Sequence, residues 1–376
     1  MTFFLSSYRN NPTREFFLAR VRFSNDCMEE DLQSGLNIAY VNVPGKTVTF
    51  YPWNETYSIT ESELTKWACL NEYDAISIEN TGICYCFYDA VAGDPVIVTG
   101  LACNTNCIMC PVNEQARDHA PTSTAEDIIQ QLQYFGTNIH HMTITGGEPT
   151  LMMMDLPKVI EAVHEHCPLA DILILTNGRT FSVSAYADMF NNLLRKQDQI
   201  AIPIHGSTAE LHDHITQAPG SFLQTVNGLR NLSHGVMQIE IRIVVSKLNY
   251  QDIDNIADVV LQLPRVSLVN FIALEMCGNA IMNRDKVWID YPLAAKSCET
   301  GIEKLVHAGI DVGLYNFPRC VVDRKYWSLC KDSISDYKIR FAPECDQCKV
   351  KPVCGGVFNS TLSTGCFKAR PILENS

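Results

Sequence analysis

The pattern of apolar and polar positions along the chain changes character near residue 93. Before it, apolar stretches are short and strand-like. Asn37-Ile-Ala-Tyr-Val-Asn-Val43 and Thr47-Val-Thr-Phe-Tyr51 flank the turn Pro44-Gly45-Lys46, which predicts a hairpin. A short helix is expected over Glu61–Leu70 and another strand over Ile83–Tyr88. The turn Ala92-Gly93-Asp94-Pro95 closes this small α+β module, residues 1–93.

From Pro95 the chain alternates between strand and helix patterns. Strands are expected at Val96–Thr99, Met142–Thr145, Ile172–Thr176, Ile200–Ile204, Ile239–Val245 and Leu268–Leu274. Helices are expected at Ala125–Tyr134, Leu156–His166, Ser184–Leu194, Phe222–Leu232 and Ile253–Leu263. Ser123 and Glu126 stand at capping-box spacing before the first helix. Repeated βα units predict an α/β fold with a parallel sheet and right-handed crossovers, and their number a partial (β/α)6 barrel over residues 94–315. A helix at Leu293–Ala308 and a strand at Val312–Tyr315 lead into a cysteine-rich segment, residues 316–376. That segment has few periodic apolar stretches, so ligands are expected to organise it.

Composition narrows the function classes. With 29 Lys and Arg against 42 Asp and Glu, the chain carries a formal net charge of −13 and is a poor general nucleic-acid binder. No apolar run reaches the ~18 residues of a membrane span. The opening MTFFLSSYRNN lacks the basic region of a secretion signal, so a cytoplasmic location is expected. Sixteen cysteines in 376 residues then point to metal or iron–sulfur ligation instead of disulfides.

The chemistry gathers in three places. Leu101-Ala-Cys103-Asn-Thr-Asn-Cys107-Ile-Met-Cys110-Pro111 follows the first barrel strand, where βα barrels place active sites. Three thiolates at this spacing can hold three irons of a cubane and leave the fourth open. Zinc ordinarily takes four ligands, and the nearest histidine, His119, is nine residues past Cys110. Thr145-Gly146-Gly147-Glu148-Pro149 ends the second strand, with glycines that permit close backbone approach and a carboxylate suited to a cationic amino group. Cys345-Asp-Gln-Cys348-Lys-Val-Lys-Pro-Val-Cys354 offers a third set, open to zinc or a cluster. Cys27, Cys69, Cys84, Cys86, Cys167, Cys277 and Cys298 lack ligand spacing, apart from the tight Cys84-x-Cys86 pair, and read as core or strand residues.

Together the cysteine triplet and the Gly-Gly-Glu segment resemble the radical S-adenosylmethionine (SAM) superfamily. The resemblance implies that Cys103, Cys107 and Cys110 hold a [4Fe–4S] cluster whose open iron chelates SAM, with Gly146, Gly147 and Glu148 at the amino group. It implies reductive cleavage of SAM to a 5′-deoxyadenosyl radical, fed by an external one-electron donor of flavodoxin or ferredoxin type. By position, Arg242 matches the arginine that meets the SAM carboxylate, Glu275 and Gly278 the adenine wall, Asn177 the pocket lining, and Ser207 or His205 the ribose contact. The tail resembles SPASM and twitch domains, implying one auxiliary [4Fe–4S] cluster on Cys320, Cys345, Cys348 and Cys354; Cys330 and Cys366 are left over. Asp332-Ser-Ile-Ser-Asp336 and Cys354-Gly-Gly-Val-Phe358 look like the His-Xaa-Ser system maturases. That implies a ribosomally made precursor peptide as substrate and a cross-link as product. The alternative is a small molecule or nucleotide, as in cofactor biosynthesis.

Overall fold

The computed structural model describes residues 1–8, 14–25, 28–119, 123–332 and 339–373. Cys27 and most of the Asp332–Asp336 segment lie outside the described residues. Contacts group the chain into two compact units: 1–97 with 124–143 and 158–171, and 98–123 with 144–157 and 172–376.

The first unit contains a seven-stranded sheet formed by β1 (Thr2–Phe4), β2 (Phe16–Arg22), β3 (Ile38–Asn42), β4 (Thr47–Tyr51), β5 (Glu55–Ser58), β6 (Ala75–Glu79) and β7 (Ile83–Tyr88), in the order β1-β7-β6-β2-β3-β4-β5. The expected hairpin is β3–β4, antiparallel with Val41 opposite Val48. The expected helix is Glu61–Trp67. Phe3, Phe17, Phe50 and Trp67 are buried in the core, with Phe17 and Phe50 edge to face at 5.1 Å. Central strand β2 carries two arginines whose charge is met locally: Arg20 and Arg22 both bind Asp31, at 2.6 and 2.5 Å.

The barrel sheet has eight strands: β8 (Val96–Val98), β9 (His141–Thr145), β10 (Asp171–Leu175), β11 (Gln199–Pro203), β12 (Gln238–Val245), β13 (Val266–Ala273), β14 (Asp311–Tyr315) and β15 (Cys330–Lys331). They follow one another in sequence order, and β10 through β15 pair in parallel. All six expected barrel strands are present, the strand expected at Val312–Tyr315 follows them as β14, and β15 extends the sheet further. The last, β15, belongs to the cysteine-rich segment yet pairs with β14, Leu314 opposite Cys330. The expected helices appear as Ala125–Leu132, Asp155–His166, Ser184–Leu193, Ser221–Leu232, Ile253–Leu261 and Tyr291–His307. The capping box before the first of them is Thr124 with Asp127, one residue later than the spacing of Ser123 and Glu126 suggests; Thr124 Oγ1 accepts from Asp127 N–H at 3.1 Å.

Strand alternation sorts the barrel side chains into two faces. Ile200, Ile202, Ile239, Ile241, Ile243, Val269, Phe271, Val312 and Leu314 are buried on one. The registers place Ala201, Pro203, Glu240, Arg242, Asn270, Gly313 and Tyr315 on the other. This second face also carries Leu268, Val244 and Ile272, but Glu240, Arg242, Asn270 and Tyr315 give it polar groups that suit the inside of a barrel receiving a polar ligand.

Candidate functional site

The three cysteines leave β8 on a loop that is pinned on several sides. Asn106 N–H donates to Thr216 O at 3.1 Å and Ile108 N–H to Ile215 O at 2.9 Å, both at the C-terminal end of the helix Ala209–Thr216. Arg117 donates to Thr105 O (2.7 Å), Asn106 Oδ1 (2.9 Å) and Val112 O (3.1 Å). Asn279 closes the far side, its backbone N–H on Cys110 O at 2.8 Å and its amide on Cys107 O at 3.0 Å. Gly278 makes this possible: at φ +54, a Cβ there would stand 2.3 Å from Pro111 O.

Burial pushes the Cys107 thiol up to about 11 and raises that of Cys110. Such thiols stay neutral at pH 7 unless cations take the place of their protons. Cys110 Sγ also accepts from Val112 N–H at 3.4 Å, and Cys103 Sγ lies 3.2 Å from the Thr105 hydroxyl. Three thiols on eight residues of a braced loop are a donor set that fits an iron–sulfur cluster with one open iron.

The Gly-Gly-Glu segment packs directly on this loop. Gly147 N–H donates to Gly100 O and Glu148 N–H to Ala102 O, both at 2.8 Å. A Cβ on Gly146 would lie 2.4 Å from Gly100 O, and one on Gly147 2.2 Å from Ala102 O. The close approach these glycines permit is therefore to the cysteine loop itself. Glu148 is only 3 % exposed. Its Oε1 accepts from Thr150 N–H (3.0 Å), Thr150 Oγ1 (2.6 Å) and Thr176 Oγ1 (2.6 Å), and its Oε2 from Asn177 N–H (2.6 Å). Among the described residues no cationic side chain pairs with it. Asn177 in turn reaches Asn104 Oδ1 at 2.6 Å and Cys103 Sγ at 4.0 Å.

Other expected residues are engaged elsewhere. Arg242 donates through Nε to Glu240 Oε1 at 2.7 Å, and Glu240 also accepts from Asn270 and Gln199, both at 2.6 Å. The Arg242 Nη atoms make no bond among the described residues. Ser207 donates its hydroxyl to Asp252 at 2.8 Å, and Glu275 accepts from Ser360 at 3.0 Å. His205 is buried and stacked on His212, ring centroids 5.8 Å apart. Sequence reasoning missed the residues that brace the site, Arg117, Thr150, Thr176, Glu240, Asn270 and Asn279. Only Thr150 had a signal, two positions past the glutamate.

In the tail, Cys320, Cys345, Cys348 and Cys354 line one cavity, together with Val357, Phe367, Arg340 and Arg370. Among the described residues no three His, Cys, Asp or Glu side chains gather as ligands of a single ion. Burial raises the Cys320 thiol, and the neighbouring thiols of Cys354, Cys345 and Cys348 raise it further. Ile372 N–H donates to Cys348 Sγ at 3.4 Å, the kind of N–H···S contact that tunes a cluster. Cys330 and Cys366 do not line the cavity. Cys366 packs against the apolar cluster that includes Ile108 and Met276, whereas burial pushes the Cys330 thiol up to about 11.

The family model "Radical SAM superfamily" matches residues 97–260. The mycofactocin maturase MftC of Mycobacterium ulcerans is 30 % identical over 161 residues, 42 % of this chain and 41 % of that protein. The probable GTP 3′,8-cyclase of Saccharolobus islandicus is 23 % identical over 152 residues, 40 % of this chain and 47 % of that one. The chain thus spans less than half the length of these curated relatives. Among solved structures, Streptococcus suis SuiB bound to S-adenosylmethionine superposes with a TM-score of 0.45 at 14 % identity, over 59 % of this chain and 46 % of that one. No helix among the described residues is long and apolar enough to cross a membrane.

Proposed function

We propose that this chain, whose residues 97–260 match the radical SAM superfamily model, modifies a ribosomally made precursor peptide by cross-linking its side chains. The observation that carries the reading is the braced three-thiol loop with a buried, cation-free carboxylate packed on it. Cys103, Cys107 and Cys110 would hold a [4Fe–4S] cluster and leave one iron for SAM. Bound there, cluster and SAM supply a 5′-deoxyadenosyl radical that takes hydrogen from unactivated C–H bonds.

The chain's own residues place the ligand. Glu148 offers Oε2 to the SAM amino group, with Asn177 beside it, and Gly146 and Gly147 hold this carboxylate against the cysteine loop. Arg242, oriented by Glu240, presents its Nη groups to the carboxylate. The Leu274–Gly278 segment lines the adenine, and Ser207, oriented by Asp252, faces the ribose. Cys320, Cys345, Cys348 and Cys354 hold one auxiliary [4Fe–4S] cluster in the segment 316–376; that Cys330 and Cys366 lie apart from the cavity supports one cluster over two. A flavodoxin- or ferredoxin-type protein delivers the electron, in the cytoplasm, where thiols stay reduced.

A maturase among the relatives supports the peptide substrate. In the first unit, β1 and β5 are edge strands of the sheet, where an extended peptide could add. A second reading, a phosphorylated small molecule or nucleotide, is favoured by Arg340 and Arg370 on the wall of the tail cavity and by the cyclase among the relatives. Incubation with the precursor peptide encoded beside the gene, followed by mass spectrometry, separates them. We expect a loss of two hydrogens, about 2 Da per link, with roughly one 5′-deoxyadenosine formed for each. Turnover with a nucleotide and none with peptide moves the enzyme to the second reading. A gain of about 14 or 16 Da keeps the peptide and rejects the cross-link, since it marks methylation or oxygenation.

A further inference from the structure

The segment Leu274–Gly278 lies between two cysteine sites. On one side Asn279 and Gly278 fit it to the Cys110–Pro111 turn. On the other, the C-terminal segment and the helix Tyr291–His307 hold it by three hydrogen bonds. Met276 N–H donates to Thr361 Oγ1 at 3.0 Å, the Ser360 hydroxyl to Glu275 at 3.0 Å, and the Tyr291 hydroxyl to Leu274 O at 2.8 Å. Met276, Thr361 and Tyr291 are each 0 % exposed, so no water can replace a lost partner.

Both anchors lead back to the tail cavity within a few residues. Thr361 and Ser360 sit on the helix Asn359–Ser363, which follows directly on the strand Val357–Phe358. That strand pairs with Ile339–Arg340, and Val357, Gly356 and Arg340 line the cavity with Cys354. Tyr291 packs its ring 5.6 Å from Phe367, another cavity residue. The tail around these cysteines is built from short 3-10 turns and two-residue strands, so much of its order is expected to come from ligand bonds.

We propose that Thr361, supported by Ser360 and Tyr291, is a positioning residue through which the group bound at Cys320, Cys345, Cys348 and Cys354 sets the affinity of the cysteine-triplet site for SAM. The inference rests on the reading of Leu274–Gly278 as a wall of the SAM pocket. Filling the tail site fixes Cys354 and the strand after it, the strand fixes Thr361, and Thr361 holds the acceptor that the Met276 N–H finds among the described residues. Such a link is reciprocal: SAM should likewise favour the ordered tail.

The test is anaerobic calorimetric titration of SAM into the reconstituted full-length protein, with iron content and the EPR spectrum of the reduced protein recorded alongside. Thr361→Val should raise the Kd about tenfold and weaken the spectral change on SAM addition, with iron content kept. Thr361→Ser, which restores the hydroxyl, should bind within about twofold of wild type. Cys345→Ala with Cys348→Ala should lower affinity similarly, and adding Thr361→Val to that pair should cost little more. Wild-type affinity in Thr361→Val, or losses that simply add, overturns the proposal. Should Thr361→Val lose iron, Ser360→Ala decides: weaker SAM binding supports the link and unchanged binding overturns it. A wild-type protein that binds iron at the triplet but no SAM overturns the underlying reading instead.

Discussion

A glutamine at position 148 would keep the shape of the side chain and lose its charge. One amide oxygen can still accept from Thr150 and Thr176, but the new amide would face the Asn177 N–H as donor against donor. Glu148→Gln should therefore retain its iron, because the thiols are untouched, and bind SAM about tenfold or more weakly by equilibrium titration. His205 and His212 give a second residue-level expectation. Burial drives the pKa of His205 down to about 3 and that of His212 to about 4, from 6.5. Both are neutral in the fold, whereas the unfolded chain takes up protons below pH 6.5. Their contribution to stability is thus full above 6.5 and is lost as pH falls toward 4 and 3, by up to ~1.4 kcal/mol per pH unit for each histidine. Urea midpoints between pH 7 and 5 should fall, and fall less steeply in His212→Asn. Equal slopes in the two proteins would count against buried neutral histidines.

At the scale of elements, the barrel was legible because its patterns are long: the helices Asp155–His166 and Ser184–Leu193 differ from expectation by a residue. Strand β2 was not. Arg20 and Arg22 break its apolar run, and only the fold shows that Asp31 and Glu72 pair with them. The helix Ala209–Thr216 was also missed, since His212, Asp213 and His214 hide its apolar face, yet its last carbonyls hold the cysteine loop. The cysteine and Gly-Gly-Glu motifs were readable because ligand spacing is local. The bracing residues were not, because Asn279 meets Cys107 across 172 positions of chain. Gly278→Ala tests one such brace. With φ at +54 and Pro111 O at 2.3 Å, an added methyl must shift either segment, so the variant should lose triplet iron while the tail keeps its own. Iron analysis and EPR of the reconstituted variant check this.

For the whole molecule, the two cysteine sets should be separable by counting. Replacing Cys103, Cys107 and Cys110 together by Ala should abolish 5′-deoxyadenosine formation and leave about four irons per chain on the tail thiolates. Zinc without iron in that variant would make the tail a structural metal site, and about eight irons would call for a two-cluster domain. The barrel wall has its own arithmetic of absence. Gly313 leaves room for the Asn270 amide, whose oxygen would stand 2.2 Å from any Cβ there; Asn270 holds Glu240, and Glu240 holds Arg242. A single methyl group at 313 would press on the buried Asn270 amide, whose nitrogen is tied to Glu240 and through it to Arg242. That push would travel sideways from strand to strand, as a shunt passes along coupled wagons, and come to rest as a turned guanidinium two strands away.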